Sequence, residues 1–134
     1  MSNRRGFALI VVMFMLALVN IIVITLWSAS NTEMMIAGNA RRSMQTKISA
    51  TSGMNHYMAL GMGYEALREQ VGLREELLVI PETQLGDRTF YDVKVILCCD
   101  ESIRQYIVIS TGYYKKGGKV LAIHPARAIF QSVE

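Results

Sequence analysis

The stretch FALIVVMFMLALVNIIVITLW, residues 7–27, decides how the rest of this chain is read. Only Asn20 and Thr25 interrupt its apolar run. As a helix rising about 1.5 Å per residue, its 21 residues span roughly 31 Å, close to the ~30 Å hydrocarbon core of a bilayer. It contains no Pro or Gly, so nothing local ends it. A polar leader, Met1-Ser2-Asn3-Arg4-Arg5-Gly6, stands in front of it. Three readings compete for this N-terminus. A secretory signal peptide would have a shorter apolar core, although Ser28-Ala29-Ser30 imitates its cleavage site. A plain signal anchor needs only flanking positive charge and an apolar span. In the third reading the chain is cut before the span, after Gly6, where glycine permits an extended backbone in a protease cleft.

The totals leave room for one small domain beyond that helix, since the chain has 134 residues. The 51% hydrophobic content is high for a soluble domain, and residues 7–27 account for the excess. The formal charge of +3 falls to +1 once Arg4 and Arg5 are removed. The basic balance therefore reflects the leader and gives little reason to expect a nucleic-acid partner. Nine Met, gathered before residue 63, suit adaptable helix packing.

Beyond Trp27 the chain turns polar without a stop signal. Ala37, Ala40, Met44, Ile48, Thr51, Met54 and Met58 recur at spacings of three and four. Arg41, Arg42, Gln45, Lys47 and Asn55 lie off that stripe. The spacing predicts one helix from about Phe7 to about Tyr57, extending at most to Gln70, its second half laying the stripe against a small sheet. Gly38-Asn39 and Gly53 weaken this helix without ending it. From Glu65 to Ile80 a second helical pattern carries Ala66, Leu67, Val71, Leu73, Leu77 and Leu78, and Pro81 is expected to end it.

The tail changes to period two. Tyr91, Val93, Val95 and Leu97 alternate with Asp92 and Lys94, as in a half-buried strand. A turn is expected at Asp100-Glu101-Ser102, then a partner strand from Arg104 to Thr111. Lys115-Lys116-Gly117-Gly118-Lys119 reads as a hairpin, with a third strand from Val120. Pro125 implies a bulge, a bend or an edge position in that strand, which Ala126 to Val133 would continue.

Few residues suggest chemistry. Cys98 and Cys99 are adjacent, so in a strand they point to opposite faces. Buried free thiols, a vicinal disulfide in an oxidising compartment and an intermolecular bond all stay open. His56 and His124 have no ligand spacing to that pair, so no metal is expected. Tyr113-Tyr114 beside Lys115, Lys116 and Lys119 would suit stacking and charge contact with DNA, against the simpler reading of a solvated hairpin tip. The chain has no nucleophile elbow, no phosphate loop and no paired carboxylates. No enzymatic activity, cofactor or small-molecule substrate is expected.

The segment Arg4-Arg5-Gly6-Phe7-Ala8-Leu9-Ile10 resembles the class III leader of type IV prepilins. Glu33-Met34-Met35-Ile36-Ala37-Gly38-Asn39-Ala40-Arg41 resembles the E-x-M-A-G-N-x-R segment of minor pilins of the PilX type, with one extra residue after Glu33. Ala50-Thr51-Ser52-Gly53-Met54-Asn55 resembles the A-E-A-G segment that follows, with Thr51 in place of Glu. Tyr106-Ile107-Val108-Ile109-Ser110-Thr111-Gly112 is similar to the strand end of such tails. The resemblance implies a pilin-like α+β fold, with a membrane-spanning helix packed on an antiparallel sheet of three to four strands. Its divisions would be a leader at 1–6, a transmembrane and filament-core helix at 7–30, an amphipathic continuation and loop at 31–70 and a sheet domain at 71–134.

The same resemblance implies cleavage between Gly6 and Phe7 by a prepilin peptidase, with methylation of Phe7. Leu9, Ile10 and Val11 would then lie in the filament core. Its partners would be other minor pilins, the major pilin and inner-membrane lipid. The chain would sit single-pass in a bacterial inner membrane, with its C-terminal domain periplasmic and later on a pilus. Most pilins carry Glu at the fifth mature position, where this chain has Val11. That departure suits a subunit at or near the filament tip, with no neighbour above it to pair with a carboxylate. A type II secretion pseudopilin and a bitopic membrane protein with a small periplasmic interaction domain are the alternatives.

Overall fold

The computed structural model describes residues 3–71, 76–98 and 105–131, with side chains from Gly6 onward. In chain order the elements are α1 (Asn3–Ala59), α2 (Tyr64–Val71), β1 (Glu76–Gln84), β2 (Thr89–Cys98), β3 (Gln105–Lys116) and β4 (Lys119–Gln131). The four strands form one antiparallel sheet in the order β1-β2-β3-β4. The fold is α+β: a long apolar N-terminal helix whose second half packs on a four-stranded antiparallel sheet. Two compact units divide the chain at Asn39/Ala40.

Among the described side chains of the first unit, from Gly6 to Asn39, α1 buries none. Phe7, Ile10, Phe14, Ile24 and Trp27 are each at least 65% exposed. α1 contains a stretch long and apolar enough to cross a membrane.

In the second unit α1 ends at Ala59, just before Gly61, which takes the left-handed conformation (φ 66°) that commonly closes a helix. The core joins Tyr57 of α1 and Leu67 and Val71 of α2 to Ile80, Tyr91, Val93, Val95, Tyr106 and Val108 of the sheet. Two edge-to-face ring pairs tie the helices to the strands. Tyr57 meets Phe130 at 5.9 Å between centroids, and Tyr64 meets Tyr106 at 5.3 Å. The Tyr57 hydroxyl donates to the Met62 carbonyl (3.1 Å), and its burial pushes the phenol pKa up to about 12.

Three expectations are corrected. First, the residues of α1 buried against the sheet are Thr46, Ser49, Ala50, Gly53 and Tyr57, and of the expected Met and Ile stripe Met54 alone packs, partly buried, against the core. Met44, Ile48 and Met58 are 66%, 51% and 50% exposed. The reason is proximity. A Cβ on Gly112 of β3 would overlap the Thr46 carbonyl and lie 2.6 Å from the Ala50 nitrogen. A Cβ on Gly53 would overlap the Ser110 hydroxyl and lie 2.7 Å from the Tyr91 ring. At that spacing only small side chains fit under the helix.

Second, the helical pattern expected from Glu65 through Ile80 is helix from Tyr64 to Val71 only among the described residues, Leu77 and Leu78 belong to β1, and Leu73 lies outside the described residues. Pro81 lies inside that strand and does not end a helix. The strand is an edge, and register shifts flank Ile80, which accommodates a residue without an N–H.

Third, Cys98 is exposed, not a buried thiol. Cys99, the turn expected at 100–102 and residues 132–133 of the last strand lie outside the described residues. Elsewhere the period-two reading holds, except that β3 runs on through Gly112 to Lys116, past the end expected at Thr111, and Arg104 lies outside the described residues. β2 and β3 pair from Thr89↔Tyr114 to Cys98↔Gln105 without a shift. Gly117 and Gly118, at φ 59° and 77°, make the two-residue hairpin turn. Pro125 takes the edge position: it faces Thr111 in register within β4, and the strand's one shift lies at Tyr114/Lys115.

Candidate interaction surfaces

Among the described residues no group of three or more His, Cys, Asp or Glu side chains could hold a metal ion. The candidates that remain are exposed apolar surfaces and the hairpin tip.

The span presents the largest of these. Leu9, Ile10 and Val11 are 64%, 67% and 40% exposed, and Gly6 and Phe7 lie on the helix just before them. Thr25 satisfies its hydroxyl within the helix, donating to the Ile22 carbonyl at 2.8 Å and reaching the Ile21 carbonyl at 3.1 Å. No polar group of Thr25 is therefore left to face hydrocarbon.

A second apolar surface lies on α1 in the sheet unit. Met44, Ile48 and Thr51, with Lys47 and Ser52, line a shallow open cavity on the helix side away from the sheet. A third lies on the sheet face opposite the helix. Ile96, Ile107 and Ile129 sit side by side across β2, β3 and β4, with Ile129 61% exposed.

The hairpin tip brings together the residues singled out for nucleic acid, and engages most of them. Lys115 pairs with Glu82 and lies 5.3 Å and 5.5 Å from the Phe90 and Tyr113 ring centroids. The Tyr113 hydroxyl donates to Asp92 Oδ2 (2.9 Å), and burial, reinforced by that bond, raises its pKa. Arg88 Nη1 lies 3.4 Å from the Tyr114 hydroxyl. That contact, with the charges of Arg88, Arg42 and Lys116, lowers the Tyr114 pKa against a smaller opposing effect of burial. Lys116 and Lys119 are exposed. Asp87 and Glu82 pair with Arg88 and Lys115, and Lys116 and Lys119 keep the tip net positive.

Of the remaining candidates, His56 Nδ1 lies 2.9 Å from the Tyr91 hydroxyl, a contact between α1 and β2. His124 is half-buried in β4 opposite Gly112. Cys98 lies at the exposed end of β2, and its pairing with Cys99 falls outside the described residues.

Sequence reasoning missed the small-residue face Thr46, Ser49, Ala50 and Gly53. Its signal was present at spacings of three and four, hidden by the greater hydrophobicity of the Met and Ile positions. No known protein family, curated protein sequence or solved structure matches the chain.

Proposed function

We propose that this chain is a minor pilin of the PilX type. It would be cut after Gly6 and methylated on Phe7 by a prepilin peptidase, and would help initiate a type IV pilus or sit at or near its tip. The observation that carries the reading is one uninterrupted helix, Asn3–Ala59, in which a wholly exposed apolar span runs on into a helix packed on an antiparallel sheet. A helix that is apolar on all sides needs lipid or other helices as its surroundings. Processing behind Gly6 would let one span serve in turn as membrane anchor and filament core. Close helix association would draw on van der Waals packing between such spans. In this reading the domain is periplasmic and the partners are other pilin subunits, with no enzymatic role.

Val11 supports placement near the tip. A carboxylate at the bilayer centre costs at least about 2.5–3.5 kcal/mol, and without a neighbouring amine above it nothing offsets that cost. The chain avoids the cost by carrying Val11, 40% exposed on the helix.

Mass spectrometry of the protein purified from its own membranes tests the processing step. The expected N-terminus is N-methyl-Phe7, and a mature chain that retains Arg4 and Arg5 overturns the reading. Val11→Glu tests the tip placement. The variant should still insert in the membrane but lower the number of pili severalfold, counted by electron microscopy. Normal piliation would refute the tip role.

A further inference from the structure

The sheet face opposite α1 is apolar where it meets solvent. On β2 and β3 the buried residues Tyr91, Val93, Val95, Tyr106 and Val108 point to the helix side, so the positions between them point away. An antiparallel sheet with one solvated face commonly carries polar residues at such positions. Here they include Ile96, Ile107 and Ile109. On β4, Phe130 packs against Tyr57 of the helix, and no register shift lies between Ala122 and Gln131. Ile123 and Ile129 therefore also point away, 58% and 61% exposed.

The charges on this face are largely answered within the chain. Lys94 pairs with Glu76 of β1 at 2.8 Å, and Asp92 accepts a hydrogen bond from Tyr113 at 2.9 Å. The face can therefore lose water without stranding either group.

The pattern is balanced about β3. Ile107 has Ile96 on one side and Ile129 on the other. Ile109 has Lys94 on one side and Arg127 on the other. A twofold axis lying over β3 and running along it would set Ile107 on Ile107, Ile109 on Ile109 and Ile96 on Ile129. The same rotation brings Arg127 of one copy over the Lys94, Glu76 and Asp92 group of the other, which holds two carboxylates to one ammonium.

We propose that this face packs on the same face of a second copy of the chain, as an isologous dimer with β3 on its axis. The surface is its own complement, so both halves of the contact are present in one chain. Its size suffices. Strands β2 to β4, spaced ~4.8 Å apart and about 27 Å long over Gln105–Tyr113, offer a flat patch of about 400 Å² before side-chain relief is counted, and two such patches approach the ~1,000 Å² that a specific contact needs. Two aligned sheets packing face to face make a standard sandwich layer. Lipid is the poorer occupant, because hydrocarbon over this face would leave Lys94, Asp92 and Arg127 without water. The inference does not rest on cleavage after Gly6 or on a pilus.

The test is disulfide formation by the full chain in detergent micelles, with Cys98→Ser/Cys99→Ser as background so that each variant carries one thiol. Ile107→Cys should join to itself. Ile96→Cys mixed with Ile129→Cys should crosslink at least fivefold more than either variant alone, a pattern set by the axis. Adding Ile109→Lys should lower the Ile107→Cys yield at least tenfold, whereas Met44→Gln/Ile48→Gln on the exposed helix face should leave it within twofold. A native chain that stays monomeric, leaving the face to another protein, overturns the proposal. So do equal yields from the mixed and single variants, as expected if the copies met only through their apolar spans. A yield insensitive to Ile109→Lys, or lost in Met44→Gln/Ile48→Gln, overturns it as well. Should Ile109→Lys fail to fold, the comparison of mixed and single variants still decides.

Discussion

From Phe7 to Trp27, α1 carries large apolar side chains on every side and buries none of them. From Ala40 to Ala59 the same helix buries Thr46, Ser49, Ala50, Gly53 and Tyr57, and leaves Met44, Ile48 and Met58 outside. The difference separates two meanings of an apolar residue in a helix. In the first half hydrophobicity answers to the surroundings of the whole segment, because transfer of its surface out of water is favourable whichever side it faces. In the second half the position of each residue is governed by the distance between helix and sheet. Where backbones approach closely, a methyl or hydroxymethyl group fits and a Met does not, so residue size decides the inward face.

The largest expected effect tests that distance directly. Gly112→Ala puts a methyl group against the Thr46 carbonyl and the Ala50 nitrogen, both backbone atoms that cannot rotate away. The helix must lift from β3, and the loss should be about 3 kcal/mol, at the upper end for overpacking. The chain's aromatic residues allow the two halves to be followed separately. Its one Trp, Trp27, lies in the apolar span, and all six Tyr lie between residues 57 and 114. Denaturant unfolding in micelles, followed by tyrosine near-ultraviolet signal, should shift strongly while Trp27 fluorescence stays unchanged. An unshifted tyrosine transition would mean that the helix is not seated on Gly112.

Gly53→Ala should cost less. The added methyl meets the Ser110 hydroxyl and the Tyr91 ring, both side chains with some freedom to turn. Replacing a helical Gly by Ala also returns about 1 kcal/mol of intrinsic helix preference. The net loss should be about 1 kcal/mol, read by the same tyrosine transition. Adding Ser110→Ala should recover part of it. That hydroxyl is buried with no hydrogen-bond partner among the described residues, so its removal frees space and leaves no group unsatisfied. A stabilised Gly53→Ala would place the helix farther from the sheet than the size argument allows.

Much of the fold was legible because it rests on periodicity. The apolar run at 7–27 and the alternation of Tyr91, Val93 and Val95 each admit one element type, and Gly117-Gly118 names its turn. Two features were not legible, for different reasons. Leu77 and Leu78 sit in a short segment whose apolar spacing suits a helix as well as a strand, and its strand form depends on pairing with β2, which no local pattern encodes. The facing of α1 depends on Gly112, which lies over fifty residues away in the sequence from the helix residues it admits. Among the surface candidates, the Tyr113 and Lys115 cluster was visible as composition, whereas its pairing with Asp92 and Glu82 required the register of the sheet.

The smallest expected effect is the sharpest test of the contrast within α1. If the Met and Ile stripe packed on the sheet, Met44→Gln/Ile48→Gln would remove two buried apolar side chains and cost several kcal/mol. In the structure both are more than half exposed, and glutamine is a good helix former. The double variant should therefore change the tyrosine unfolding transition by no more than about 0.5 kcal/mol. The same two polar residues placed in the span, as Phe14→Gln/Leu16→Gln, should leave that transition equally unmoved but lower the fraction of chain recovered with membranes. Exposure in the structure is the same for both pairs, at 51–66%, so the two outcomes separate a face that tolerates water from one that does not. A loss of more than 1.5 kcal/mol in Met44→Gln/Ile48→Gln would return the stripe to the core and remove the small-residue account of how this helix meets its sheet.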